Sequence, residues 1–454
     1  MSQPNQAAGQ SNRRQFLTAA AATAATAAAA PRAFAAHPGG SGRLKVGLVG
    51  CGGRGKGAVR DALNAGDDAV LVAVADAFED NMTSAHQQLS EEFGDRIQVP
   101  EDQRFAGFDA YKQVIATDCD IVILATPPGF RPQHFREAVD AGKHVFAEKP
   151  VAVDAPGIRS FMETARDAKD RGLAVGIGLQ RRHDAAYIDT VNRIWDGALG
   201  DEVLYTRVYW NNAGVWTRPR RPEQTEMEYQ MRNWYYFTWL CGDHICEQHI
   251  HNLDVSNWIK QAHPVSANGM GGREVRTGKD HGQIFDHHCV EFTYADGTTM
   301  MSQCRHQPNT WSQVSEFAHG AKGHCSVSGH KFYDRTGKPT DRVRAKGENP
   351  YVQEHIDLQK SIRDGKPLAE GENGAIATMT AILGRMATYS GQVVEWDQAI
   401  QSDVSLAPQR YAFDADPPVL PNQSGRYPVP TPGGDTAWSR TPSGEKVVGA
   451  ATAT

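Results

Sequence analysis

The sequence predicts an α/β protein: an N-terminal doubly wound parallel sheet, followed by an α+β domain with a large, mostly antiparallel sheet. Three observations lead there. Short apolar runs alternate with helical segments from residue 44 to about residue 178; the first run ends in the glycine-rich turn Gly50-Cys51-Gly52-Gly53-Arg54-Gly55; and beyond residue 200 the pattern changes to alternating strands. With 454 residues, 40% hydrophobic and 22% charged, the chain holds enough apolar material for two ordinary domains. The formal charge of −6, from 47 basic and 53 acidic residues, leaves no cationic excess for a nucleic-acid backbone. A small-molecule partner is expected.

Residues 1–36 stand apart. They hold Arg13, Arg14 and Arg32 and no acid, so their removal takes the charge from −6 to −9. Arg13-Arg14-Gln15-Phe16-Leu17 leads into an Ala/Thr run closed by Pro31, with Ala33-Phe34-Ala35 at a cleavable position. This predicts a signal peptide, similar to a twin-arginine signal, and a periplasmic destination. The run is too short and weakly apolar for a spanning helix, and no integral membrane segment is expected in the mature chain. The seven cysteines (51, 119, 241, 246, 289, 304 and 325) show no CxxC spacing, which argues against a disulfide scaffold or zinc ribbon.

From residue 43 to 165 the elements follow in order. Leu44 to Val49 reads as a strand, Ala58 to Ala65 as a helix and Val70 to Ala75 as a second buried strand, which makes a βαβ unit. Tyr111–Ala116 helix, Ile121–Ala125 strand, Phe135–Ala141 helix and Val145–Ala147 strand continue the alternation. From Asp154 to Asp170 a helix leads to a strand near Ala174–Gly178. The second domain is expected over residues 166–400, with a strand from Val203 to Tyr209, a hairpin turning at Ala295-Asp296-Gly297, and late helices at 352–364 and 373–389. Residues 401–454, rich in Pro, Gly and Ser, are expected to wrap the surface or stay loose.

The glycine turn satisfies GxGxxG between a strand and a helix, and Asp76 follows at the end of the second strand. Gly50 permits the tight turn, Gly52 the approach of a pyrophosphate, and Gly55 close helix packing. This is the Rossmann pattern. Asp76 is placed to accept from an adenosine ribose and to repel a 2′-phosphate, so NAD is favoured over NADP. Gly53 and Arg54 complete the expected cradle.

Ala125-Thr126-Pro127-Pro128, Ala141-Gly142-Lys143-His144-Val145 and Glu148-Lys149-Pro150 follow in that order. With the glycine turn, this series resembles the Gfo/Idh/MocA oxidoreductase family from about residue 44 to 400. The resemblance implies a nicotinamide cofactor near Thr126, Pro127, Glu148 and Lys149, with Lys149 reaching the substrate hydroxyl. Arg131 stands where many members carry His. The stretch from Gly178 to Tyr187 is similar to a usual source of substrate contacts, which implies roles for Arg182 and Tyr187.

The family pairs an Asp with a catalytic His four residues later. By register, His251 takes the place of that His and Glu247 that of the Asp, and an (i, i+4) spacing on one helix face would let the carboxylate orient the imidazole. His249 replaces the usual glycine and implies an altered substrate wall. The competing reading is metal, held by Asp243, His244, Glu247, His249 and His251; on a continuous helix 249 and 251 lie about 200° apart and cannot converge, so no metal is expected. Trp210, Trp216, Trp234, Tyr235, Tyr236, Phe237 and Trp239 crowd the stretch before that helix. Aromatic faces of this kind stack on sugar rings, and Trp234 is taken as a substrate contact.

Together these predict hydride transfer between a sugar or cyclitol secondary alcohol and a tightly bound nicotinamide cofactor. Export sharpens the expectation, because no free NAD pool is expected outside the cytoplasm and the cofactor must be regenerated in place. Alternatives are an NAD-dependent glycosidase or lyase acting through transient oxidation of a sugar carbon, and a non-catalytic sugar-binding protein with structural NAD. The resemblance further implies a homodimer or homotetramer.

Overall fold

A computed structural model describes residues 42–433; the expected signal segment 1–36 and the end of the tail lie outside the described residues. The first sheet is built from β1 (Leu44–Val49), β2 (Ala69–Asp76), β3 (Arg104–Ala106), β4 (Ile121–Leu124), β5 (His144–Ala147) and β6 (Val175–Ile177). Its order is β3-β2-β1-β4-β5-β6, with every pair parallel. The chain reverses direction of growth between β1 and β4, the place where a doubly wound sheet opens a crevice at its carboxyl edge. Strands β1, β2, β4 and β5 are buried on both faces, as their near-continuous apolar runs require.

The helices between them are α1 (Gly53–Asn64), α2 (Glu79–Phe93), α3 (Ala110–Ala116), α4 (Arg131–Asp140) and α5 (Ala155–Asp170). Helix α2 was not read from the sequence. It buries only Met82, Ala85 and Leu89, a stripe too narrow to stand out in so polar a segment. Helix α1 starts five residues earlier than expected because the glycine turn itself forms its first turn.

After α6 (Ala185–Arg193) comes β7 (Val203–Asn212), followed by α7 (Glu226–Arg232), α8 (Thr238–Cys241), α9 (His244–Glu247) and α10 (Ile250–Lys260). The remaining strands are β8 (Pro264–Gly272), β9 (His287–Tyr294), β10 (Thr299–His306), β11 (Gln313–Gly320), β12 (Gly323–Ser326), β13 (Lys331–Asp334), β14 (Pro339–Arg342) and β15 (Val394–Glu395). They form a nine-stranded sheet ordered β14-β13-β12-β11-β7-β10-β9-β8-β15. Only β7 and β10 pair in parallel; the other pairs are antiparallel. The expected hairpin joins β9 to β10, closed by Gly297 N–H to Tyr294 O at 2.9 Å with Gly297 at φ +81°.

Strands β9 and β10 alternate between buried and half-buried residues, so one face of the sheet is covered. Helix α12 (Gly371–Ser390) covers it and is buried almost all round, because it also packs on α5 of the first sheet. One hydrophobic core therefore runs through both sheets, joining Phe135 and Phe161 to Phe292, Leu383 and Leu253.

The expected division at residue 165 cuts through this first layer. Strand β6 follows that boundary yet pairs with β5, and α11 (Pro350–Arg363) returns to complete the first layer's core, with Leu358 fully buried beside Ala58, Val59 and Phe146. Gln359 donates to the Ala62 carbonyl at 2.7 Å. Residues 401–433 lack helix and strand and lie anchored on the rest of the molecule, with Leu406 N–H donating to Asp154 at 2.7 Å. Among the described residues no helix is long and apolar enough to cross a membrane.

If α11 belongs to the first core, Leu358→Ala lowers stability by about 2–5 kcal/mol, read from the midpoint of urea unfolding. A change below about 0.5 kcal/mol, typical of surface positions, would place Leu358 outside that core.

Candidate active site

A cleft of about 420 Å³ lies along the carboxyl edge of the first sheet and continues to α9 and α10. At one end stands the glycine turn. Gly50 has φ +99°, and a Cβ there would lie 2.6 Å from the backbone of Ala125 and Thr126. At Gly55 a Cβ would fall 1.8 Å from the Gly50 carbonyl, so only glycine lets α1 come this close. Gly52 and Gly53 have open space where their side chains would be, and α1 begins there with no capping side chain and no acid in its first turn. Its free N–H groups and open cradle suit a pyrophosphate. The residues present therefore fit a dinucleotide.

Asp76 faces the same end. Its carboxylate accepts from Cys51 N at 2.7 Å, Phe78 N at 2.9 Å and Asn81 Nδ2 at 3.3 Å, and burial raises its pKa. Arg54 is tied to Glu148 and, at 3.1 Å, to Asp61. Glu148 fits because residue 178 is glycine: a Cβ there would lie 2.6 Å from its carboxylate. Of the residues expected at the cofactor, Gly50, Gly52, Gly53, Arg54, Asp76, Thr126, Pro127, Glu148 and Lys149 line the cleft; Gly55 packs beneath it.

Lys149, Glu247 and His251 meet at the other end, but not in the arrangement the spacing predicts. The helix is broken after Glu247. His249 N–H reaches back five residues to His244 O at 3.2 Å, and His251 N–H goes to Gln248 O at 3.4 Å, a wide turn of the kind found at functional sites. The break releases the Glu247 carbonyl from its helical partner, and Lys149 Nζ donates to it at 2.6 Å while also pairing with Glu247 Oε1 at 3.1 Å. No hydrogen bond joins Glu247 to His251 among the described residues. Glu247 orients the lysine instead of the imidazole.

His251 stacks on Trp210 with ring centroids 6.0 Å apart, and its Nδ1 is buried without a hydrogen-bond partner. Burial, with Lys149 and Arg181 nearby, holds its pKa well below the ordinary value, so the ring is neutral and able to accept a proton.

Of the residues expected to touch substrate, Trp234 lines the cleft, whereas Arg182, Tyr187 and His249 do not. Arg182 clasps Asp254 of α10 at 2.8 and 2.9 Å. Tyr187 donates to the buried Glu316 of β11 at 3.2 Å. His249 is fully buried, bonded through Nε2 to Ser302 at 2.8 Å. These three brace the second sheet and α10, since the break turns His249 inward.

Sequence reasoning missed His134. Arg131 is wholly buried and donates to the carbonyls of Pro150 and Leu124. One helical turn later, His134 supplies the imidazole on this wall, 3.3 Å from Thr126 Oγ1 and stacked on Tyr111 at 3.9 Å. The (i, i+3) relation on α4 was the available signal. Gln180 and Gln248 also line the cleft.

The break brings Asp243 and His244 together with His288, at spacings a metal ion could bridge. However, Asp243 Oδ1 accepts from the His244 N–H and Nδ1, and Oδ2 from Phe285 N–H and the Tyr389 hydroxyl. Burial would raise this carboxyl, but His288 and His244 beside it hold it well below the usual range. With four donors in place, the carboxylate is saturated and fixes the turn before α9.

With this geometry in view, comparison with known proteins places the chain. A family model described as an oxidoreductase family with an NAD-binding Rossmann fold, GFO_IDH_MocA, matches residues 44–177. An inositol 2-dehydrogenase of Rhizobium meliloti (strain 1021) is 26% identical over 283 residues, covering 62% of this chain and 74% of that protein. Among solved structures, an aldose-aldose oxidoreductase from Caulobacter crescentus complexed with glycerol has a TM-score of 0.60 at 19% identity, covering 78% of this chain and 99% of the other. A scyllo-inositol dehydrogenase from Lactobacillus casei with bound NAD(H) and scyllo-inositol has a TM-score of 0.60 at 20% identity and the same coverages. The likeness to that oxidoreductase family lies in the NAD-binding Rossmann fold, at residues 44–177.

Proposed function

We propose that the protein oxidises a secondary alcohol of a neutral sugar or cyclitol, passing hydride to an NAD held in the glycine cradle. The observation that carries this reading is a single cleft lined at one end by Gly50, Gly52 and Asp76 and at the other by Lys149 and His251. The bound nicotinamide supplies the hydride acceptor. His251, neutral and facing the cleft, takes the hydroxyl proton. Lys149, fixed by Glu247, donates a hydrogen bond to the oxygen as negative charge develops there. Trp210 and Trp234 offer faces for the ring's C–H surface.

A neutral substrate is favoured because each cation lining the cleft is engaged: Arg54 with Glu148, Arg131 with two carbonyls, Lys149 with Glu247. NAD is favoured over NADP because the Asp76 carboxylate would repel a 2′-phosphate. The guanidinium over Phe78, that of Arg232, is already paired with Asp80 at 2.7 Å.

We further propose export by the twin-arginine route to the periplasm, with NAD loaded before export and regenerated within each cycle. A second carbonyl substrate could take the hydride back, or transient oxidation could permit elimination of a glycosidic bond. The two are separated by incubation with aryl glycosides, where aglycone release without net NADH marks the cleavage route. The polar outer face of the nine-stranded sheet, where Trp311 and Met270 are exposed, would suit a second copy.

Lys149→Met and His251→Ala are each expected to lower kcat by about 10²-fold or more while NADH still binds, as followed by nicotinamide fluorescence; turnover equal to the parent in either variant removes that assignment. The pH dependence provides an independent check. With the His251 pKa depressed, its basic form persists as pH falls, so the acid limb of kcat/KM lies below about 6.5, the ordinary imidazole value. An acid limb at or above that value contradicts His251 as the base.

A further inference from the structure

The segment after residue 400 crosses the molecule as a strap, and its contacts converge on one end of the cleft. It is pinned near its start where Arg159 donates to the carbonyls of Ile400 and Ser402, both at 2.7 Å. Farther along, Gln230 Nε2 donates to Val419 O at 2.7 Å, and Tyr427 packs edge-on against Phe237 at 4.9 Å. The first anchor lies on α5 of the Rossmann layer. The later two lie on and just after α7, in the chain that forms the second sheet.

Between the anchors, Tyr411 and Phe413 press on three rings that line the cleft. Phe413 lies 4.8 Å from Phe108 and 5.5 Å from Phe78, and Tyr411 lies 5.2 Å from Phe130, centroid to centroid. Phe78 and Phe108 sit in the loops that follow β2 and β3, next to Asp76. Arg232 also covers Phe78, 3.7 Å from its ring centroid, and Phe108 also meets Phe130 at 6.3 Å. The strap adds a contact from outside to each of the three rings.

We propose that residues 401–433 retain the dinucleotide, with Tyr411 and Phe413 as positioning residues that keep Phe78, Phe108 and Phe130 closed around its adenosine end. This rests on the reading that the glycine cradle binds NAD. It names what makes that binding persistent. Release requires the loops after β2 and β3 to part, and this requires the strap's ring contacts to be broken first. Because the strap is tied at both ends, loosening its far anchor should also free the loops.

The test is the rate at which bound NADH leaves the full-length protein, measured by loss of nicotinamide fluorescence after adding excess NAD as a trap. Tyr411→Ala/Phe413→Ala is expected to speed release by about tenfold or more. Tyr427→Ala, remote from the cleft, is expected to speed release in the same direction. Phe332→Ala, in the hydrophobic cluster with Tyr187 and Val191, destabilises without touching the strap and is expected to leave release within about twofold. Should the double variant not fold, Phe413→Leu and Tyr427→Ala carry the same expectation. Release unchanged in the strap variants while the parent protein holds NADH overturns the strap's role. A parent protein that binds no NADH instead overturns the underlying reading, and the strap proposal with it.

Discussion

The contact on which the site depends is the double attachment of Lys149 to Glu247. The lysine follows β5 of the Rossmann sheet; the glutamate ends α9, which leads into α10. One ammonium group therefore spans the cleft, and it uses a backbone carbonyl as well as a carboxylate. Carbonyls inside a helix are already engaged by the residue four positions on. The free one exists only because the helix stops there. A continuous helix over 244–260 would have kept Glu247 O for His251 N–H and turned His249 toward a different face.

The turn that starts α9 has a visible cost, because Asp243 adopts φ +76°, a region that disfavours side chains by about 1–3 kcal/mol. The compensation lies in groups distant in sequence: Phe285 and Tyr389 donate to Asp243, and Arg385 of α12 donates to the carbonyls of Gly242 and Val153 at 2.9 and 2.7 Å. Arg385 thus links the turn before α9 to the loop that carries Lys149. Both halves of the site are held by the same buried helix.

This explains what could be read from the amino-acid order and what could not. The glycine turn, Asp76 and the Glu-Lys-Pro segment are local: each follows its strand by a fixed count, and the open sheet brings strand ends to one edge. The parallel sheet and the β9–β10 hairpin were legible for the same reason. Helix α2 was hidden because three buried residues in fifteen make too faint a period. Glu247 and His251 both reach the cleft, but the expected pairing between them fails, because it presupposed a helix that runs on through Gln248 and His249. Arg182, Tyr187 and His249 were misplaced by the same kind of distant partner: Asp254, Glu316 and Ser302.

The displaced residues clarify how the His251 imidazole is set. Arg182 binds Asp254, one turn beyond His251 on α10, and Asn252 binds Glu316, which also receives Arg181 and Tyr187. The loop after β6 therefore fixes the helix bearing His251, while the residue after β5 carries the lysine. The segments after two adjacent strands of the Rossmann sheet thus position Lys149 and His251, which lie far apart in the chain. The polar residues that sequence reasoning assigned to substrate contribute rigidity instead, which would matter for the proposed hydride step because near-attack geometry is degraded by a displacement of about 1 Å. The remaining cleft lining includes flat or neutral groups such as Trp210, Trp234, Gln180 and Gln248, which would suit the uncharged ring of the proposed substrate.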